Sequence, residues 1–132
     1  SPFNAFYAST KHAIEGYSES LDHEVRTFGI RVLLVEPGVT HTSFEEHLTR
    51  ADQPLPAYAA ERPRSESLMR KWVEAGDPPQ VVADMVVKAA TAGKPKLRYS
   101  AGKQSRQVHA LRRFMPERLV DGILRKYNEF SA

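Results

Sequence analysis

The chain has 132 residues, of which 41% are hydrophobic and 27% are charged, and it contains no cysteine. This composition is typical of one folded domain and excludes disordered, fibrous and disulfide-linked proteins. The lack of cysteine also excludes thiol nucleophiles and cysteine-ligated metal sites.

The net charge of +3 hides an uneven distribution along the chain. Residues 94–132 hold 10 Lys and Arg against 3 Asp and Glu, whereas residues 1–93 hold 9 against 13. A basic tail could contact nucleic acid or an anionic membrane, or its charges could line the solvent face of a last amphipathic helix. Nucleic-acid binding has no support other than this charge, since the tail has few aromatic residues and no binding motif.

The apolar stretches are too short to cross a bilayer, and no signal segment opens the chain. We therefore expect a cytoplasmic protein with no membrane partner.

The first predicted element is a long helix over residues 6–28. Ile14, Tyr17, Leu21, Val25 and Phe28 follow one another at steps of three and four, and Gly29 comes where a helix favours a left-handed residue. We expect Tyr17 to be packed. The next stretch, IRVLLVEPG at 30–38, is apolar at consecutive positions, which predicts a strand covered on both faces.

The middle of the chain is less regular. Prolines at 54, 56 and 63 predict a loop, preceded by a short helix at 44–50 and followed by a helix at 65–75. A further helix is predicted from about residue 78, with Asp77 as its N-cap, Gln80 completing a capping box, and Gly93 beyond its end.

The C-terminal part predicts a strand at 94–100 and two short helices separated at Pro116. Two strands joined through helices form a parallel crossover unit. The expected fold class is therefore α/β, with two parallel strands and several helices.

Tyr7 and Lys11 are the first candidates for chemistry. A spacing of four places both side chains on one face of a helix, where an ammonium near a phenol favours the phenolate. Such a tyrosine can exchange a proton with an alcohol oxygen. The spacing alone is weak support, because Tyr99 and Lys103 share it in a segment containing a glycine.

The stretch YASTKHAIEGYSESLDHEVRTFGIRVLLVEPGVTHT closely resembles part of the short-chain dehydrogenases/reductases. In that family a Tyr-x-x-x-Lys helix is followed by a buried strand and a Pro-Gly-x-x-x-Thr loop. The matching positions are Tyr7, Lys11, Pro37, Gly38 and Thr42. The resemblance is strongest over residues 1–44 and continues more loosely to about residue 102.

The resemblance implies an enzyme that interconverts a small-molecule alcohol and a carbonyl with NAD or NADP. Tyr7 would be the general acid/base and would also contact the cofactor, and Lys11 would lower the pKa of Tyr7 and hold the nicotinamide ribose. Pro37 and Gly38 would shape a turn in which the backbone around Val39 and the hydroxyl of Thr42 meet the cofactor. Residues 43–75 would form the substrate loop.

The resemblance also implies a single partial domain over residues 1–132, the C-terminal half of a doubly wound, Rossmann-like sheet, ending in a basic helical tail at 103–132. The family's Gly-rich phosphate turn precedes the tyrosine, so we expect the chain alone to lack dehydrogenase activity. Helix 6–28 would pair with another copy in a homo-dimer or tetramer. The alternative is a non-enzymatic interaction or oligomerisation fragment.

No metal site is expected from the five histidines. His41, Glu45 and His47 are close in sequence, but solvent-facing histidines are the more common case. Trp72 and Met69 are expected to pack in the core or in a lid.

Overall fold

The computed structural model describes residues 3–44, 49 and 51–127. These residues form two strands and five α-helices, with short 3₁₀ turns between some of them. In chain order the elements are α1 Ala5–Val25, β1 Leu34–Pro37, α2 Glu61–Glu74, α3 Pro79–Ala90, β2 Arg98–Ala101, α4 Lys103–Phe114 and α5 Glu117–Tyr127.

The two strands pair in parallel, with Leu34 opposite Arg98 and Pro37 opposite Ala101. Helix α3 lies between them in sequence and contacts both, while α4 follows β2 and packs against it. The predicted class is confirmed: this is a partial Rossmann-like α/β arrangement with an open sheet of two parallel strands. The carboxyl end of β1 and the start of α4 lie at the same edge of this sheet.

The long first helix is confirmed. Helix α1 continues into a 3₁₀ turn at Arg26–Phe28, and Gly29 ends it at φ 74°, a left-handed conformation that glycine adopts without steric cost. The expected packing of Tyr17 is wrong, because its side chain is 68% exposed and Ile14 beside it is 59% exposed. Within the described ranges no element covers this face of α1.

Strand β1 is shorter than the sequence predicts. Residues 30–33 precede it, and the pairing with the β2 segment begins where the Leu34 N–H donates to the Leu97 carbonyl at 2.7 Å. The expected cover on both faces is also wrong, since Leu34 and Val35 are only half-buried. Helices lie against part of the sheet only.

Two helix boundaries differ from prediction. Helix α2 starts at Glu61 rather than 65, and Pro63 lies in its first turn, where a missing N–H breaks no helical hydrogen bond. Helix α3 has Pro78 at its N-cap with no side-chain cap, so the capping box is wrong. Gln80 instead donates to Asp84 at 2.7 Å.

Most of the predicted helix at 44–50 falls outside the described residues. Strand β2 covers Arg98–Ala101 rather than 94–100. The two C-terminal helices are confirmed, and they are separated at Met115 and Pro116. Gly102 connects β2 to α4 at φ 90° and ψ 167°, which excludes a helix running through Tyr99 and Lys103.

The hydrophobic core of the described residues is small. Its members with under a tenth of their surface exposed are Leu68 of α2, Ala89 of α3, Ala101 of β2 and Val120 of α5. They come from four different elements, so the core includes residues of the sheet and of three helices.

Asp22 is the largest side chain that is almost fully buried, at 1% exposed. Its carboxylate accepts hydrogen bonds from Arg31 Nε at 2.8 Å, from the Val32 N–H at 2.9 Å and from Arg26. Arg31 also donates to the Pro95 carbonyl at 3.3 Å. Arg31 first, and then the Val32 N–H and Arg26, hold the pKa of the Asp22 carboxyl well below its usual range. Asp22 therefore ties the end of α1 to the segments that lead into both strands.

Candidate functional site

A cavity of about 910 Å³ lies beside the carboxyl end of β1. Its walls come from the first turns of α1, from the turn after β1, from α2 and from α4. Five of the six predicted site residues line it, namely Tyr7, Pro37, Gly38, Val39 and Thr42. The structure thus brings two sequence motifs 30 residues apart into one site.

Tyr7 is in the first turns of α1 and its side chain is 45% exposed. Its ring lies 5.7 Å from the ring of Phe44, centre to centre, at an interplanar angle of 54°. Lys11 Nζ lies 5.4 Å from the centre of the Tyr7 ring, a separation within the range of a cation–π contact. Lys11 is not itself among the residues that line the cavity. The helical spacing therefore places an ammonium against the phenol ring.

Gly38 lies in close contact with the first turn of α4. The Gly38 N–H donates to the Ala101 carbonyl at 3.0 Å, which extends the sheet pairing by one residue. A Cβ on Gly38 would lie 3.2 Å from the Ser105 nitrogen and 3.3 Å from Gln104 Cβ. The first turn of α4 therefore presses directly on the turn that follows β1.

The backbone of Val39 is already engaged. Its N–H donates to Gln104 Oε1 at 3.0 Å, and its carbonyl accepts from the Asp77 N–H at 3.0 Å. The His41 N–H donates to the Asp77 carbonyl at 2.9 Å, so Thr40 forms a parallel bridge with Asp77. Because backbone groups alternate in direction along an extended chain, the N–H and carbonyl of Thr40 face away from Asp77.

Thr40 is a site residue that the sequence reasoning missed. It lines the cavity, and its hydroxyl donates to the Gly38 carbonyl at 3.2 Å. Its backbone N–H and carbonyl face away from Asp77, whereas those of Val39 are hydrogen-bonded, and only the tertiary pairing with Asp77 creates this difference. Thr42 also lines the cavity, and its hydroxyl accepts from the Phe44 N–H at 3.4 Å.

A cluster of charged residues borders the same cavity. Arg98 of β2 pairs with Glu36 of β1 and reaches two carboxylates of α1, Glu15 at 3.1 Å and Glu19 at 3.3 Å. The hydrogen bond to Glu36 is the largest cause that raises the pKa of Arg98 above its usual value. His109 lies 3.4 Å from Glu36. Arg98 thus ties α1, the helix that carries Tyr7, to both strands.

The described residues contain no group of three or more histidine or acidic side chains placed to hold a metal ion. Of the three residues singled out in the sequence, His41 is among the described residues, whereas Glu45 and His47 fall outside the described part of the chain. No helix within the described part of the chain is long and apolar enough to span a bilayer.

Comparison with known proteins shows which proteins this chain resembles. A family model described as short chain dehydrogenase matches residues 1–53. YbbO, an uncharacterised oxidoreductase of Escherichia coli strain K12, is 34% identical over 127 residues, which cover 93% of this chain and 42% of YbbO. YusZ, an uncharacterised oxidoreductase of Bacillus subtilis strain 168, is 36% identical over 125 residues, which cover 91% of this chain and 45% of YusZ.

A mammalian relative extends the comparison. The 17-beta-hydroxysteroid dehydrogenase type 6 of Mus musculus is 27% identical over 139 residues, with 92% of this chain and 43% of that protein covered. The chain spans less than half the length of each of these relatives. Over the length that it shares with them, it is similar to part of the short-chain dehydrogenases/reductases.

Proposed function

We propose that the complete protein carrying this chain is an NAD(P)-dependent oxidoreductase that interconverts an alcohol and a carbonyl compound. One observation carries the proposal: Tyr7, with Lys11 against its ring, lines the same cavity as the turn from Pro37 to Thr42. A proton-transfer group and a backbone-lined cofactor turn are thereby within one cavity. The oxidoreductase names of the relatives support the same class of reaction.

The residues present fit part of a nicotinamide nucleotide. The Thr40 N–H and carbonyl offer one donor and one acceptor, which matches the two hydrogen-bonding groups of a carboxamide. Thr42 adds a hydroxyl, and beside the Tyr7 ring Lys11 adds an ammonium that suits ribose hydroxyls. A nicotinamide bound there would supply or accept the hydride.

In this mechanism the tyrosine hydroxyl handles the proton. During reduction the Tyr7 hydroxyl donates its proton to the carbonyl oxygen of the substrate, and during oxidation the phenolate accepts the alcohol proton. Lys11 Nζ lies 5.4 Å from the centre of the ring that carries this hydroxyl.

The lining of the cavity favours an apolar substrate. Phe44 stands beside the Tyr7 ring, and Met69 and Val73 of α2 with Val108 of α4 add apolar side chains. Residues of the proposed 43–75 substrate region therefore meet the tyrosine. One relative is named a hydroxysteroid dehydrogenase, which agrees with a large apolar alcohol or ketone. A cytoplasmic location is part of the proposal, supported by the lack of cysteine.

The test compares two tyrosines with the same Tyr-x-x-x-Lys spacing in the complete gene product. Tyr7→Phe is expected to lower kcat by about 10² to 10⁴-fold, the usual contribution of a general acid, while nucleotide Kd stays unchanged. Tyr99→Phe is the matched control, because Tyr99 is on β2 and accepts from the Lys96 N–H at 2.9 Å. Turnover is followed by nicotinamide absorbance. Equal rates for Tyr7→Phe and the unmodified protein would refute the role of Tyr7.

A second candidate, an interaction or oligomerisation fragment, is favoured by the apolar surface of α1. Phe6 is 84% exposed and Tyr17 is 68% exposed. Absence of nucleotide binding and turnover in the complete product, together with self-association, would favour this alternative.

A further inference from the structure

Gln104 lies between two cavities. It lines the cavity that holds Tyr7, and it also lines a second cavity of about 300 Å³ bounded by Trp72, Asp77 and Tyr127. Val39 is the other residue that lines both. The hydrogen bond between these two residues is therefore part of the wall between the two cavities.

The oxygen of the Gln104 amide restrains the turn. Gln104 lies in the first turn of α4, and its amide oxygen accepts a hydrogen bond from the Val39 N–H at 3.0 Å. The neighbouring Ser105 hydroxyl donates to the Glu36 carbonyl at 2.7 Å, and a Cβ on Gly38 would lie 3.3 Å from Gln104 Cβ. Glu36, Gly38 and Val39, at and just after the end of β1, are thus contacted by two residues of α4.

The nitrogen of the same amide is also held. Gln104 Nε2 donates to the Tyr127 hydroxyl at 2.7 Å. The Tyr127 ring stacks on Trp72 of α2, with ring centres 4.7 Å apart and planes at 15°. Reversing the amide would direct its NH₂ group at the Val39 N–H, two donors facing each other. The Val39 N–H therefore selects the orientation of the amide, and Tyr127 holds the amide there through its nitrogen.

We infer that Gln104, held by Tyr127, is a positioning residue that sets the place of the Pro37–Thr42 turn and thereby the affinity for the nicotinamide nucleotide. This inference rests on the proposed function. Thr40 can present its N–H and carbonyl to a ligand only while its neighbours are fixed. Asp77 fixes the turn through the Val39 carbonyl and the His41 N–H, and Gln104 fixes it through the Val39 N–H.

The arrangement also connects α5 to the site. Tyr127 is on the last turn of α5 and makes no direct contribution to the lining of the larger cavity. Through its hydroxyl and its ring it joins α5 to Gln104 and to α2. A change at Tyr127 is therefore expected to affect nucleotide binding without any contact to the nucleotide-binding turn itself.

The experiment uses the complete gene product with three substitutions and one control. Gln104→Leu removes both hydrogen bonds of the amide. Tyr127→Phe removes only the hydroxyl that the amide nitrogen contacts, and it keeps the ring. Gln104→Glu keeps an acceptor for both the Val39 N–H and the Tyr127 hydroxyl. Gln107→Leu is the control, because Gln107 is on the same helix and lines only the second cavity. Nucleotide Kd, KM, kcat and hydrogen exchange at the Val39 amide are measured.

For Gln104→Leu we expect Kd and KM for the nucleotide to rise about 3- to 10-fold, the range for one lost hydrogen bond, with kcat changed less than about twofold. The Val39 amide should exchange faster. Tyr127→Phe should give a smaller rise of the same kind, while Gln104→Glu and Gln107→Leu should stay within about twofold of the unmodified protein.

An unchanged nucleotide Kd in Gln104→Leu would overturn the inference, even if Val39 exchange or thermal stability changes, because a purely structural role predicts that result. Failure of the proposed function is a separate outcome: the unmodified protein then shows no nucleotide binding. In that case Val39 exchange decides alone, and unchanged protection in Gln104→Leu refutes a positioning role.

Discussion

Gly102 offers a quantitative test of how β2 is joined to α4. This residue is buried, and its φ of 90° and ψ of 167° fall in a region that is essentially restricted to glycine. A Cβ there would lie 2.2 Å from Asp77 Oδ2, closer than any real contact. Gly102→Ala therefore combines backbone strain of about 1–3 kcal/mol with a displacement of the Asp77 carboxylate, which adds a smaller cost because the end of this side chain can rotate away.

Two other glycines separate these contributions. Gly29 has a φ of 74° but no atom within 4 Å of the place where a Cβ would be, so Gly29→Ala should cost only the left-handed strain of about 1–2 kcal/mol. Gly16 lies inside α1 with the same open space, so Gly16→Ala should stabilise the chain by about 0.5–1 kcal/mol.

The assay is urea unfolding followed by far-UV circular dichroism, at one fixed protein concentration because association would also stabilise the fold. The free energy of unfolding is expected to be highest for Gly16→Ala and then to fall in the order unmodified chain, Gly29→Ala and Gly102→Ala. A double-mutant cycle with Asp77→Ala should recover the carboxylate part of the cost and leave the strain. A cost for Gly102→Ala no larger than that for Gly29→Ala would refute the crowding by Asp77.

Two further predictions concern α1. Because the pKa of Asp22 is depressed in the fold, its stabilising effect is complete above the unfolded-state value of about 3.9 and is lost as the pH falls below it. Asp22→Asn should therefore lower stability at pH 7 and weaken its dependence on pH between about 5 and 2, whereas the exposed Asp52→Asn should change neither, as measured by thermal unfolding across that range. Tyr17→Glu should reduce self-association measured by light scattering, if the exposed face of α1 mediates it, while Leu119→Glu, at an α5 residue that is 56% exposed, should not. An unchanged mass for Tyr17→Glu would contradict the pairing through helix 6–28.

The position of the candidate site follows from tertiary pairing as much as from motif. Tyr7 and Lys11 are neighbours for a local reason, the helical period, and the sequence predicts them together. Their approach to the turn after β1 depends on Arg98, whose three carboxylate partners come from α1 and β1. These partners are more than 60 residues from Arg98 in sequence, and no local pattern indicates them.

Asp77 shows why a correct local pattern can predict the wrong role. The sequence favours it as an N-cap because Asp, two prolines and Gln80 precede an apolar helical run. In the structure its backbone pairs with the turn after β1 and its side chain lies over Gly102. Two backbone hydrogen bonds to a distant segment outweigh one side-chain cap, so the helix begins after Pro78 without it.

The amino-acid sequence by itself determined the helices, the breaks at Gly29 and Pro116, the α/β class and the Tyr7–Lys11 pair, since each depends on residues within a few positions of one another. Only the tertiary structure decided which residues of 30–38 form a strand, which backbone groups of the turn are free, and that Gln104 holds Val39. Those outcomes depend on which donors and acceptors from distant segments meet, and a hydrogen bond forms only where the fold brings both partners within about 3 Å.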